Sequence, residues 1–535
     1  MTTYYISAAD GNNTYNGLYP AYVGGTDGPW LTLGKANTTL QAGDTVYIRT
    51  GTYDGITVGP DYVGYAILPS NSGTAGNYIT YQNYNGEEVW ITATEFSACG
   101  AWLKNRSYIK IDGIKFGRFS KWVYCQLGEG ETSSHNIIQN CYFDASQLIG
   151  SGWAGMWFGT SDGSANGICE YNQIVDNVFS EITCYPSDAI YFLGGGSTKY
   201  NLIQGNTFDG ASHVVLELQE SGGTVRYNIV KNNIIRNKFH TGINCYGGSS
   251  WNVIEGNTIY DCGTEHEINY CGSQHDRELD DPYHPSIIVE GSHNIIRKNI
   301  LYNNGNFGVE NYGDECDDNR IYHNTSYGNY MDWFTSCSDQ VHNNQFKNNI
   351  SSGAKLFGIK HDAQNANRLN YFKNNCIYDA DTEVYWYPDG SKTVEWMEDN
   401  YSSLWQGNII SNPKFVNAET KNFHLADDSP CINTGTWLTT ITSETGSGTE
   451  FDVSDVSYFC DGFGITVGDE MQLQGQSSPV TITDIDYNTN TITVDESIGW
   501  TQGDGVALAY SGTAPDMGAF EYTWTTIALR HYQIR

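Results

Sequence analysis

One six-residue segment, opening and closing on asparagine with apolar or β-branched residues between, organises most of this chain. It occurs at 172–177, 201–206, 228–233, 252–257, 294–299, 319–324, 344–349 and 370–375, with a looser first copy at 135–140. The closing asparagines follow one another by 37, 29, 27, 24, 42, 25, 25 and 26 residues. A minimum near 24 fits one turn of a parallel β-helix with three short strands per coil, and the longer intervals mark loops. About ten stacked coils are expected. Asparagine suits a repeated corner because it tolerates the left-handed conformation and bonds neighbouring backbone. Stacked amides also bond to the coils above and below. A leucine-rich repeat fails for want of its leucine spacing, and a propeller because the period is too short. These asparagines therefore build the fold rather than catalyse.

Composition agrees. Hydrophobic residues make up 39% of the 535, with Gly 59 and Tyr 39, and short Val/Ile/Tyr/Phe runs are punctuated by Gly, Asn and Asp. That is a strand-and-turn signature. The net charge of −34, from 61 acidic against 27 basic residues, excludes a nucleic-acid or anionic-membrane surface, which needs clustered Lys and Arg. It also disfavours a polyuronate unless Ca²⁺ or a local basic patch intervenes. No apolar run of about 18 residues is present to span a membrane. The start, Met1-Thr2-Thr3-Tyr4, lacks a basic and apolar leader, so the chain is either exported after removal of a leader absent here or not exported by that route, with an extracellular location the expectation. The thirteen cysteines show no metal-ligand spacing. Cys262 with Cys271, or Cys316 with Cys337, could pair, while buried apolar filling is the commoner role.

The repeats "NVIEGNTIYD", "NIIRKNILYNN" and "NRIYHNTSYGN" resemble those of the pectate-lyase-like, right-handed parallel β-helix superfamily. The opening "YYISAADGNNTYNG" with "GPWLTLGKANTTLQAGDTVYIRTGTYDG" is similar to the N-terminal cap of secreted members, with a short helix over about 33–40. "SPCINTGTW" and "APDMGAFEY" resemble their closing segment. The resemblance implies an all-β solenoid and leaves activity open among lyases, hydrolases, epimerases and non-catalytic binders. We divide the chain into a cap with first coils (1–100), the β-helix (101–437), an inserted small β-barrel-like module (438–511) and a closing strand with tail (512–535). The module's strands, such as "PVTITDIDY" and "NTITVDESIGW", carry no asparagine repeat. Its expected role is structural, with glycan binding as the alternative.

Side chains at equivalent positions of successive coils stack about 4.8 Å apart, so one outer sheet can form a long groove. Aligning the strand before each repeat on its buried aliphatic residue selects Val123, Met156, Ile190, Leu216, Ile243, Ile288 and Val309. The next, outward position then reads Tyr124, Trp157, Tyr191, Glu217, Asn244, Val289 and Glu310. Aromatic faces followed by acids and an amide are what a sugar-binding groove requires. Tyr246 joins these as a candidate sugar contact. Two residues before the aliphatic position stand Asp188, Val214 and Thr241, with His213 and His240 one further back. Pectinase-type hydrolases of the superfamily place catalytic Asp and His at that corner. Their Asp-Asp, Gly-His-Gly and Arg-Ile-Lys motifs are absent here, as are the basic and calcium-binding signatures of pectate and alginate lyases.

Three functions follow. The first is a secreted polysaccharide-degrading glycoside hydrolase, with Asp188 and Glu217 as the carboxylate pair and His213 and His240 beside them. The second is a polysaccharide lyase acting on a uronate, with His213, His240, Tyr191 or Tyr246 as base. The third is a non-catalytic glycan-binding adhesin or phage-type fibre. The partner is a polysaccharide or oligosaccharide in each case. No cofactor is required, although Ca²⁺ is compatible with Asp276 and Asp280 in the long acidic loop and with Asp314 and Glu315 in the next acidic turn.

Overall fold

The computed structural model describes residues 1–54, 57–58, 64–93, 99–117, 119–144, 154–160, 166–180, 188–211, 214–238, 241–262, 285–313, 316–335, 342–362 and 369–523. It is a parallel β-helix, right-handed as nearly all parallel β-crossovers are. Three long sheets run its length, two of 14 strands and one of 12, so the stack holds more coils than the ten expected from the repeat. The earliest coils carry no asparagine at the repeat positions, which is why counting asparagines undercounts them. A typical coil runs Ile229–Lys231 on the first face, Ile234–Lys238 on the second and Thr241–Tyr246 on the third.

The asparagines form two ladders inside the solenoid, one at each end of the first-face strand. Asn201 donates from its backbone N to Asn228 Oδ1 at 3.0 Å and from Nδ2 to the same atom at 3.0 Å. Its Nδ2 also reaches the Cys169 carbonyl at 3.0 Å. The second ladder repeats this from Asn206 to Asn233 to Asn257. Every polar atom of such an amide is matched, which is the condition for burying it. The left-handed conformation, however, belongs to the residue before each ladder asparagine: Tyr171, Tyr200 and Tyr227 have φ of 57° and Trp251 has 60°. The ladder amide must point into the core, so the preceding residue makes the corner and its side chain points out. There the rings stack from Tyr108 through His135, Tyr171 and Tyr200 to Tyr227, with centroids 4.6–5.5 Å apart.

The N-terminal end is closed by the helix Leu33–Thr39, whose Leu33 and Ala36 are buried. Thr32 caps it by accepting from the Lys35 N–H. Against the side of the stack, residues 439–508 form a six-stranded antiparallel sheet. It packs on the first face, sharing one apolar cluster with Leu202, Ile229, Val253 and Ile295. Arg297 is fixed there between Asp469 (2.5 Å) and Glu255 (3.0 Å), while Arg320 pairs with Asp455 at 3.0 Å. The third face, where the groove is expected, is left free of this sheet. All ten described cysteines are buried, Cys262 and Cys316 among them. Their suggested partners Cys271 and Cys337 lie outside the described residues. Among the described residues no helix is long and apolar enough to cross a membrane.

Candidate functional site

Strand pairing on the third face fixes the register of its outward row. Trp102 lies beside Tyr124, and Tyr124, Trp157, Tyr191, Glu217 and Asn244 then follow in successive coils. The next positions are Ile288, Glu310, Phe334, Lys360 and Tyr385. One expected position is thus corrected. Ile287, not Ile288, continues the buried column, Ile288 faces outward, and Val289 is fully buried. Three consecutive β-branched residues, Ile287, Ile288 and Val289, follow the longest insertion, so alternation alone could not choose between them. The slip has a consequence: with Val289 inward, Glu290 turns outward, and no sequence signal had singled it out.

The row divides into two chemistries. Its first part is aromatic: Trp102 stacks on Tyr124 at 4.7 Å between ring centroids, and Trp157 meets Tyr191 edge-on at 5.1 Å. The Lys121 ammonium lies 5.8 Å from the Tyr124 ring and 5.3 Å from the Trp157 ring. Tyr124 and Tyr191 donate their hydroxyls to Gln126 and Gln219, which fixes the rings' outer edges. The second part is acidic. Asp188 (5% exposed) occupies the corner row with Lys121 and Ala154, and accepts the Val214 N–H at 3.1 Å. Its carboxyl is hydrogen-bonded to that of Glu217 (8% exposed). Burial, then the nearby Asp188 charge and this hydrogen bond, hold Glu217 well above the ordinary carboxylate range, so Glu217 carries the shared proton.

Two further acids follow. Glu310, 3% exposed, is pushed up to about 8 by burial and by Glu290, with Lys360 opposing. Glu290 is pushed up to about 7 by burial, and its Oε2 accepts the Gly247 N–H at 3.3 Å. It projects between Tyr246 (41% exposed) and Tyr312 (46% exposed) of the adjoining coils. Asn244 Oδ1, Glu310 Oε1 and Trp157 Nε1 are buried without a hydrogen-bond partner. These three share the outward row, where a ligand's own donors and acceptors would match them, although unmatched buried atoms also occur away from it, at Trp122, Arg297 and Asn311 among others.

His213 and His240, the candidate bases, lie outside the described residues, as do Asp276, Asp280, Asp314 and Glu315, the candidate calcium ligands. Among the described residues no group of three or more His, Cys, Asp or Glu side chains is placed to hold a metal ion.

No family model and no curated protein sequence matches the chain. Among solved structures it is similar to the pectate lyase Pel9A, at 14% identity and a TM-score of 0.45, over 98% of this chain and 97% of that one. It is also similar to XylC in complex with xylose (10%, TM-score 0.48, 95% and 100%). A third is the GH136 lacto-N-biosidase from Eubacterium ramulus (13%, TM-score 0.45, 77% and 67%).

Proposed function

We propose that this chain is a carbohydrate-active enzyme that binds a polysaccharide along the third face and hydrolyses a glycosidic bond at Glu217. The observation that carries this is the Glu217–Asp188 pair, a proton-holding carboxyl on the outward row of the third face, which continues through the aromatic rings of Tyr191, Trp157 and Tyr124 in the preceding coils. The half-buried rings of Tyr124 and Trp157 offer apolar surface to sugars, and Asn244 and Glu310 offer oxygens to hydroxyl groups. Glu217 has the protonation state a general acid needs at neutral pH, and its proton goes to the departing glycosidic oxygen. Asp188 orients that proton. Being in hydrogen-bond contact with Glu217, it is too close to act as the second carboxylate, since such pairs stand about 5–5.5 Å apart in retaining enzymes and roughly 6.5–9.5 Å in inverting ones.

A second reading, β-elimination on a uronate, is favoured by one observation. Burial lowers the pKa of the Lys121 amine, which shares the corner row with Asp188, and a depressed lysine is a competent base. The test is digestion of xylan, arabinan, galactan, mannan, laminarin, polygalacturonate and alginate, followed by reducing ends and by ultraviolet absorbance of unsaturated products. Hydrolysis gives reducing ends without absorbance, and Glu217→Gln lowers the rate roughly 10²–10⁴-fold while the fold persists. Absorbing products that depend on Lys121 transfer the chain to the second reading. Binding with neither product makes it an adhesin or fibre.

A further inference from the structure

The hydrolytic reading leaves one role unfilled, because Asp188 is committed to Glu217. We propose that Glu290 is the second catalytic carboxylate, the base that activates water on the far side of the scissile bond from Glu217. This rests on the hydrolytic reading and adds to it a catalytic residue and a stereochemical outcome.

Position is the first support. Ile288 shares the outward row with Glu217, and Glu290 lies two residues further along the same strand path, so it faces the same groove. Two coils separate the acids, about 9.6 Å along the axis at the usual strand spacing. The two residues along the strand add roughly 6.6 Å sideways, about 12 Å between the backbones in all, so both side chains must lean toward each other to bring the carboxyls into the roughly 6.5–9.5 Å range that leaves room for a water. Glu290 does lean back: its Oε2 takes the Gly247 N–H from the coil nearer Glu217, and its charge is felt at Glu217.

Environment is the second support. Glu290 is only partly buried, between exposed Tyr246 and Tyr312, whereas Glu310 is 3% exposed and pushed further up. The groups around Glu290 are Glu217 on one side, Cys245 and Tyr246 on the adjoining coil, and Glu310, Tyr312 and Cys316 on the other side. Beyond them stands the cation Lys360, which acts on Glu310. Of the two remaining acids, Glu290 stands one coil nearer Glu217 and is the more exposed, so it is the one placed to meet water, while Glu217 keeps its proton. Unlike environments of this kind assign base and acid. In the step, ionised Glu290 takes a proton from water as the water oxygen bonds to the anomeric carbon. The glycosidic C–O bond breaks, and the leaving oxygen receives the Glu217 proton. The configuration at that carbon inverts.

The full chain is assayed on the seven polysaccharides named above, with Glu217→Gln, Glu290→Gln and Glu290→Ala in parallel. Expected are an inverted anomeric product by NMR and a loss of kcat of at least 100-fold in Glu290→Gln, with KM within threefold. The acidic limb of the wild-type profile, near pH 7, should vanish in Glu290→Ala, and sodium azide should restore turnover to that variant as an inverted glycosyl azide. Near-wild-type kcat in Glu290→Gln, or a retained configuration, overturns the Glu290 assignment while an inactive Glu217→Gln leaves the hydrolytic reading standing. Unimpaired Glu217→Gln, or no cleavage of any polymer by the wild type, overturns both.

Discussion

Asn228 and Asn244 occupy the same coil, and both are almost wholly buried. Asn228 belongs to a ladder: its N and Nδ2 both donate to Asn252 Oδ1 at 3.0 Å, and its own Oδ1 accepts twice from Asn201. Asn244 stands on the groove face, and its Oδ1 has no partner. The same amide is consumed by the fold in one place and left open in the other. Residue type therefore does not separate structural from functional asparagines in this solenoid. What separates these two is whether the coil spacing satisfies the amide or leaves it unmatched on the outward row of the third face.

The sharpest way to break this contrast is to delete one amide from each set. Asn233→Ala in the ladder should cost about 3 kcal/mol, because it strands the Asn206 donors in the core, each unmatched group being worth about 1–3 kcal/mol. Chemical denaturation reads this, and kcat of the folded fraction should not change. Asn244→Ala should leave stability within about 1 kcal/mol, since an unmatched group is lost rather than created. Cleavage should nevertheless fall about tenfold, the worth of one lost sugar contact of ~1.4 kcal/mol. Equal destabilisation by both substitutions would dissolve the distinction.

Trp157→Ala tests the aromatic half of the row: KM should rise about tenfold with kcat little changed, because stacking binds substrate and transition state alike. The last test concerns pH and reads a slope rather than a single loss. Glu310 has a folded pKa raised to about 8, so the folded chain holds a proton that the unfolded chain releases above the ordinary glutamate range. Its contribution to stability is full at low pH and is lost as pH rises from about 4.5 toward 8. The wild-type Tm should therefore fall more steeply than that of Glu310→Gln between pH 5 and pH 8. Parallel curves in a thermal melt series would show that Glu310 titrates normally.

Most of the winding could be read from spacing alone, because an asparagine ladder demands the same residue at the same corner of each coil. The left-handed corner was misplaced by one residue, onto the asparagine itself, since sequence shows that a corner recurs but not which neighbour bends. Six of the seven positions that set the groove row survive in the observed pairing, from Tyr124 through Asn244 and at Glu310. The exception, at Ile287–Val289, hid Glu290, because β-branched residues suit either face of a strand. Nor could sequence reveal that Asp188 and Glu217 touch, for contact between adjacent coils depends on side-chain direction as well as register.

The ladders join each coil only to its immediate neighbours, through the same few bonds every time. The stack is therefore a ruler with interchangeable divisions. Gaining or losing one whole division would lengthen or shorten the row of sugar contacts by a single step while leaving its ends chemically intact. Relatives with longer or shorter grooves are thus reachable by duplication or deletion of whole coils, without redesign of any residue that touches the bond to be broken.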